Sequence, residues 1–480
     1  MVLAITVSAI MVRNLGNTSY GVYSLLTSIL AFASLICKFS FDAALLRYIP
    51  EYKKHNDTAG LKSFIYKIIS FQLIIWLVMV LIFYMSENAL SGFYKVDLVP
   101  YLFIGMLSTL ITIYNLILET ILTAYYRIKI QVALSIISGV LQIPLLYILL
   151  TVCHLNIIGC FVAIIFKDVL VSLVYLKVIA NIFYPPASSA SVKIKAARVF
   201  NFAVPNLFSN LVNQLVLSQS ETIYLGYYST IDNVGIYNLG YSFPQRFITV
   251  IPDILRNISY AAITDFYLKD KTYLKRLVEI YFKLLFLIIA PVSIGGALLV
   301  DTAIVMIYGP GMQSAGIIAQ VLFIVHTFIF FSNPYTFAMA TLENMWISFR
   351  ISIFSAIVSI ALNLILISRY GLAGAVVSTS LALLINGILR FAIYRKYYMF
   401  VEIPWKCIGK AYLTTIFFFL VIPFKHLITH PAHVLIAFLY MTICWIITAK
   451  RLKVIDADGV SFLSNLPIPY SKKIADFFSG

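Results

Sequence analysis

Arg246, Lys167, Asp168 and Lys38 all lie inside long apolar stretches of the chain. A charge at the centre of a bilayer costs about 2.5–3.5 kcal/mol on insertion scales, so each of these residues calls for a partner or a use. The guanidinium of Arg246 is a planar fork suited to paired phosphate oxygens. Lys38 and Asp42 stand at the i,i+4 spacing of an intrahelical ion pair. Lys167 and Asp168 are neighbours in sequence and leave a helix in different directions, so each is expected to need its own partner. Uncharged polar residues line up with them at helical spacing: Ser24, Ser28, Lys38 and Asp42; Ser108, Thr112, Asn115 and Glu119; Asn206, Asn210, Asn213 and Gln214, leading to Glu221; and Asn238, Ser242, Gln245, Arg246, Thr249 and Asp253. Lipid cannot satisfy such faces. Arg246, Lys38, Lys167, Asn210, Gln214 and Gln245 are therefore candidates to hold a polar ligand. Asp42, Glu119, Asp168 and Glu221 are candidates for ion coupling or gating. Each has a structural alternative: Arg246 paired with Asp253, the amides bonding between helices, Glu119 sitting at headgroup level, and Lys167 and Asp168 tying the sixth span to its neighbours. His426, His430 and His433 have metal-like spacing, but Pro431 and a short exposed loop argue against a site. No catalytic constellation and no cofactor is expected, proton or sodium coupling aside.

The elements that position these residues follow from composition. The chain of 480 residues is 61% hydrophobic and 11% charged, with mean hydropathy +0.95. A soluble protein carries about 25% charged residues, so this is an all-α integral membrane protein and neither a soluble enzyme nor a nucleic-acid-binding domain. Strand-period alternation is absent, which argues against a β-barrel. The five cysteines show no paired spacing. With about 20 apolar residues needed per crossing, spans are expected near 22–46, 64–84, 101–124, 131–151, 157–178, 199–219, 234–254, 278–300, 315–338, 347–367, 372–392, 408–424 and 434–449. A partial span over 1–13 brings the total to about fourteen. It is too short to cross, so either the first helix is short and partly buried by its neighbours or, the favoured expectation, the start is truncated or misassigned.

Of the 35 lysines and arginines, Arg13, Lys95, Arg369 and Lys425 fall in one set of alternate loops, and Lys38, Lys167 and Arg246 fall within spans. The remainder fall in the opposite loops. This bias marks those loops as cytoplasmic, places the protein in the cytoplasmic membrane and puts the C-terminus inside.

The chain also resembles itself at a shift of about 214 residues. Gly21-Val22-Tyr23-Ser24-Leu25 recurs as Gly235-Ile236-Tyr237-Asn238-Leu239, Leu61-Lys62 as Leu274-Lys275, Tyr94 as Tyr308, and Ile158-Gly159 as Ala373-Gly374. Six spans per repeat give two parallel lobes, expected at 1–198 and 199–396 around a central cavity, with 397–480 supplying two further spans and a tail.

Arg13-Asn14-Leu15-Gly16 followed by Tyr20-Gly21-Val22-Tyr23 resembles the signature of the polysaccharide repeat-unit (Wzx-type) flippases, a branch of the multidrug/oligosaccharidyl-lipid/polysaccharide exporter superfamily. Asn233-Val234-Gly235-Ile236-Tyr237, Ala290-Pro291-Val292-Ser293-Ile294-Gly295, Ile307-Tyr308-Gly309 and Tyr370-Gly371-Leu372-Ala373-Gly374-Ala375 are similar to that family too. One departure is Ser40-Phe41-Asp42, where the family commonly has a glycine. The resemblance implies alternating access for a polyprenyl-diphosphate-linked oligosaccharide used in O-antigen or other surface polysaccharide synthesis. It also implies work beside glycosyltransferases and a polymerase. A multidrug antiporter of the same superfamily is the alternative; a membrane polymerase or ligase is a weaker one, since the outer loops are short.

Overall fold

The computed structural model describes residues 2–125, 127–182, 194–217, 220–248, 271–335, 345–397 and 403–454. Every regular element among them is helical. The chain divides into two compact units, Met1–Gly235 and Ile236–Gly480.

The first unit holds α1 (Val2–Lys38), α2 (Phe41–Lys54), α3 (Thr58–Tyr94), α4 (Val99–Ala124), α5 (Ile128–Tyr147), α6 (Asn156–Ile182), α7 (Ala196–Leu217), α8 (Ser220–Tyr228) and the start of α9 (Ile231–Ile248). α1 is two arms joined at Gly16, whose φ of 73° is the left-handed conformation that glycine tolerates. The first arm lies along α5. A side chain at Gly139 of α5 would meet Leu3, while Asn14 accepts from Thr151 just beyond the end of α5. The two segments therefore run in the same direction. Leu3 stands about 16 Å along α5 from its start, at 1.5 Å per residue. Val7, Ile10 and Met11 pack there on Leu146, Leu150, Cys160 and Ala163.

The second arm meets the first turn of α9 backbone to backbone. A Cβ on Gly21 would run into the Ile231 carbonyl, and one on Gly235 would stand 3.0–3.1 Å from Gly21 N and Cα. The two glycines are repeat-related, so the sequence repeat is a contact as well as a similarity. Their neighbours anchor in parallel fashion: Tyr23 packs on Phe161 of α6.

The second unit continues with α10 (Lys271–Tyr308), α11 (Gln313–Val325) running into a 3₁₀ segment His326–Phe331, α12 (Met345–Leu362) with a π turn Asn363–Ile367, α13 (Ser368–Tyr397), α14 (Trp405–Leu413) followed by a 3₁₀ run Ile416–Leu427, and α15 (Pro431–Arg451). Tyr237, the repeat mate of Tyr23, bonds Thr379 of α13, the mate of α6. Gly371 breaks α13 as Gly16 breaks α1, with φ 53°. Gly309 turns the chain out of α10 with φ 103°. Three glycines of the family-like motifs thus sit where L side chains are strained. The last helices dock through Phe418, Val421, Ile428 and Met441 on Leu299, pinned by Lys425 to Asp301 at 2.6 Å.

Ten segments among the described residues are long and apolar enough to cross a membrane, two of them, Leu3–Lys53 and Phe349–Lys396, with 51 and 48 residues. α7 and α9 are not among the ten, because their amides and charges dilute the hydropathy. The expected second span, 22–46, is not one helix: α1 stops at Lys38 and α2 starts at Phe41. Arg390, expected in a loop, lies within α13, where it bonds Asn386 at 2.6 Å and Ser352 of α12 at 2.8 Å. The repeat assigns α7 and α8 to the second lobe, while compactness groups them with the first unit.

Gly21→Val is expected to remove most folded protein, because backbone on both sides leaves nothing to repack and overpacking costs typically 1–3 kcal/mol even where side chains yield. Gly92→Ala, where the added carbon meets nothing within 4 Å, should leave the protein intact. Monodisperse yield and thermal unfolding of the purified variants check both.

Candidate functional site

The polar residues inside the spans sort into two sets, those already satisfied by a neighbouring helix and those left over. The α4 stripe belongs to the first set. Thr112 donates to the Asp168 carboxylate at 3.0 Å and Asn115 to the Asp168 carbonyl at 2.9 Å. Ser172 donates to Asn115 at 2.7 Å and Tyr175 to Glu119 at 3.0 Å. Ser108 returns its hydroxyl to the Gly105 carbonyl of its own helix. Asp168 is buried and also takes Lys167 at 3.2 Å. The expectation that Lys167 and Asp168 need separate partners is therefore corrected. The four-carbon lysine stem folds back across the angle separating adjacent positions. This ladder holds α4 to α6 and uses up Glu119, Asp168 and Lys167.

Two charged members of the second set, Lys38 and Asp42, flank the point where α1 gives way to α2. Phe39 and Ser40 both adopt left-handed φ, 51° and 53°, a conformation that costs an L residue roughly 1–2 kcal/mol. This is the stretch, Ser40-Phe41-Asp42, where the resembled family commonly has glycine. The break separates Lys38 from Asp42, so their expected ion pair does not form. Lys38 closes the last turn of α1 and Asp42 lies in the first turn of α2, and each charge complements the helix dipole beside it. The break is held from two sides. Gln72 of α3, buried, donates to the Lys38 carbonyl at 2.9 Å, and Asn210 of α7 donates to the Ser40 hydroxyl at 3.1 Å. Around it Phe39, Phe41, Phe71 and Phe200 form a ring cluster with centroids 5.3–6.1 Å apart. Among the described residues the Lys38 ammonium and the Asp42 carboxylate have no partner, and both side chains are half-buried. An unwound point flanked by a helix end of each sign is a geometry that can receive a polar or ionic ligand inside a membrane.

The other candidates are placed as follows. Asn206 bonds back to Phe202 of its own helix, and Gln214 is half-buried on α7. Asn213's side chain, Thr249 and Asp253 lie outside the described residues, so the Arg246–Asp253 pairing falls there too. Glu221 belongs to the separate α8, where it is buried in the first turn. Burial, together with this carboxylate, raises the phenol of Tyr224 above its ordinary range. Gln245 and Arg246 are half-buried near the end of α9, and both are engaged by neighbours. Pro244 just before them removes one helix hydrogen bond. His430 caps α15 through the Ala432 amide, and no group of potential metal ligands occurs among the described residues.

Sequence reasoning missed Gln72, a lone amide in an apolar helix, and the Phe quartet, which reads as ordinary span. It also missed the bidentate Arg198–Glu51 pair at 2.9–3.0 Å, with Arg198 over the Tyr48 ring. The glycine departure at Ser40 was the one signal pointing at the break.

The fold defined by these helices is an all-helical, two-unit fold with multiple membrane-length apolar helices. The structure superimposes on the lipid II flippase MurJ in an inward closed conformation with a TM-score of 0.74 at 15% identity, covering 94% of this chain and 96% of that one. An inward-facing multidrug resistance MATE transporter of the MOP superfamily gives 0.65 at 13% identity, covering 82% and 94%. A probable flippase, AglR of Haloferax volcanii, is 26% identical over 212 residues, 43% of either chain. The match thus spans less than half of that relative's length. Residues 10–315 match the family described as Polysaccharide biosynthesis protein, and the chain belongs to that family.

Asp168→Asn is expected to destabilise the protein by about 1–3 kcal/mol, since it leaves Lys167 without its counter-charge. The double variant with Lys167→Gln should recover part of that loss. A double-mutant cycle on thermal or denaturant unfolding reads the coupling; additive losses would mean the pair contributes nothing.

Proposed function

We propose that the protein is a flippase that carries a lipid-linked oligosaccharide from the cytoplasmic to the outer leaflet of the cytoplasmic membrane by alternating access. The observation that carries this is the unpartnered cation at the α1–α2 break, in a chain of a polysaccharide biosynthesis family. Lys38 neutralises charge on the diphosphate of the head group, and Arg246, on the second unit, is a separate candidate for bidentate contacts to phosphate oxygens. Asn210, Gln214 and Gln245 hydrogen-bond sugar hydroxyls, while the polyprenyl tail remains in lipid. Asp42, close to Lys38 in sequence and equally unpartnered, gates the site or binds a coupling proton or sodium ion; Glu221 is the second acid available for this. Lys167, Asp168 and Glu119 hold α4 and α6 together and are not assigned to cargo.

A head group bearing about two negative charges that leaves a negative interior gains roughly 4–5 kcal/mol at 100 mV. The membrane potential is therefore a sufficient driving force. Export of cationic drugs fits this site less well, because the unpartnered acid at the break, Asp42, stands with an unpartnered cation, Lys38. The positive-inside bias supports a cytoplasmic C-terminus. Glycosyltransferases that build the repeat unit and a polymerase that consumes it are the expected neighbours in the pathway.

Deletion of the gene should leave lipid-linked repeat units confined to the cytoplasmic leaflet and abolish the surface glycan. Wild type should restore both. Lys38→Met and Arg246→Ala, produced at wild-type level in the membrane, should restore less than about a tenth of surface glycan, the loss of roughly 1.4 kcal/mol or more of charge-assisted binding. Lys38→Arg should retain most activity. Full restoration by Lys38→Met would remove Lys38 from the site, and an unchanged glycan on deletion would remove the proposed function.

A further inference from the structure

α3 carries a second polar feature that the transport site does not use. Ser63, Tyr66, Lys67 and Ser70 follow one another at i, i+3, i+4 and i+7 and line a shallow groove of about 640 Å³ with Phe71 and Ile74. All four polar side chains are exposed, and none has a hydrogen-bond or ion-pair partner among the described residues. Several other helix hydroxyls of the chain find a partner on their own helix. Ser28, Ser86, Ser172 and Ser368, also on helices, each return the hydroxyl to a carbonyl four residues back. Ser63 and Ser70 do not, so three hydroxyls and an ammonium stand open along one stripe. Facing hydrocarbon alone, they would be left unsatisfied.

Depth identifies what meets them. α3 begins at Thr58 on the side marked cytoplasmic by Lys53, Lys54 and Lys62. Lys67 comes a little more than two turns later and extends its ammonium back toward the headgroup level. Ile74, 59% exposed, lies about 10 Å deeper at 1.5 Å per residue. The groove thus offers a cation and hydroxyls at the level of lipid phosphates and an apolar wall at the level of acyl chains. One lysine matches the single charge of a phosphodiester; a diphosphate would leave charge unmatched.

We propose that this groove is a binding site for an anionic phospholipid of the cytoplasmic leaflet. Lys67 holds the phosphate, Ser63, Tyr66 and Ser70 donate to its oxygens, and Phe71 and Ile74 support the first part of an acyl chain. The site stands independently of what the transporter carries. It is also placed to affect it. Phe71 packs edge-on against Phe200 at 5.3 Å and Phe39 at 5.4 Å, and Gln72, the next residue, holds the Lys38 carbonyl at the α1–α2 break. A lipid resting on Phe71 presses on the ring cluster around the break.

The test uses the purified full-length protein, delipidated in a neutral detergent. Binding of dioctanoyl phosphatidylglycerol, dioctanoyl phosphatidylcholine and farnesyl diphosphate is measured by native mass spectrometry. Wild type is expected to retain phosphatidylglycerol about fivefold better than phosphatidylcholine, the contribution of one cation to an anionic lipid. Lys67→Gln should lose that preference, Lys67→Arg should keep it, and Lys129→Gln, a cytoplasmic cation on α5, should leave it unchanged. Equal retention of the two phospholipids by wild type, or an undiminished preference in Lys67→Gln, overturns the site. Farnesyl diphosphate binding that depends on Lys67 and displaces phosphatidylglycerol overturns the assignment to a phospholipid and gives the groove to the cargo.

Discussion

The constraint on which everything else depends is that lipid offers no hydrogen bonds. Every polar atom placed inside a span must find a partner within the protein, reach the interface or meet a ligand. This one rule divides the intramembrane residues. The α4–α6 ladder satisfies itself, from Thr112 through Asp168 to Tyr175 and Glu119, and reads as structure. The α1–α2 break is held by Gln72 on the Lys38 carbonyl and by Asn210 on the Ser40 hydroxyl, but the charge of Lys38 is left open. A residue that carries an insertion cost without an internal partner is where function is to be sought.

Strain points to the same place. Phe39 and Ser40 hold left-handed φ without being glycine, and such residues persist only where surrounding contacts over-determine them. Here those contacts are named: two amides from neighbouring helices and a cluster of four phenylalanines. The elements that supply them, α3 and α7, are held by the packing of the first unit, so the break is positioned by the fold and not by its own sequence. The groove on α3 shares Phe71 with that cluster and extends the same logic to the lipid surface.

Much of this was legible in the sequence. The all-helical membrane class followed from 11% charge. The glycines stood out in the sequence as motif and repeat residues; Gly16, Gly309 and Gly371 take positive φ, and Gly21 meets Gly235, its own repeat mate. The stripe on α4 was visible as a stripe, though not whom it faced, because periodicity gives a direction from the helix axis and not the neighbour on that side. The Lys38–Asp42 pairing failed for a different reason. An i,i+4 argument assumes a continuous helix, and Ser40, standing where the resembled family commonly has glycine, was the only local sign of a break. The lysine at 167 escaped the rule for adjacent residues because its stem is long and flexible. Gln72 was out of reach, since a single amide has no period.

The most direct measurement is made on purified protein in vesicles with a defined potential, loaded with a fluorescent lipid-linked oligosaccharide whose outer-leaflet fraction is quenched by an impermeant reductant. With no other protein present, wild type should move the head group across the bilayer, faster when the destination side is positive, and Lys38→Met should hold it near the protein-free rate. Vesicles in which wild type moves the head group no faster than empty lipid would contradict the account, and so would transport by Lys38→Met at the wild-type rate.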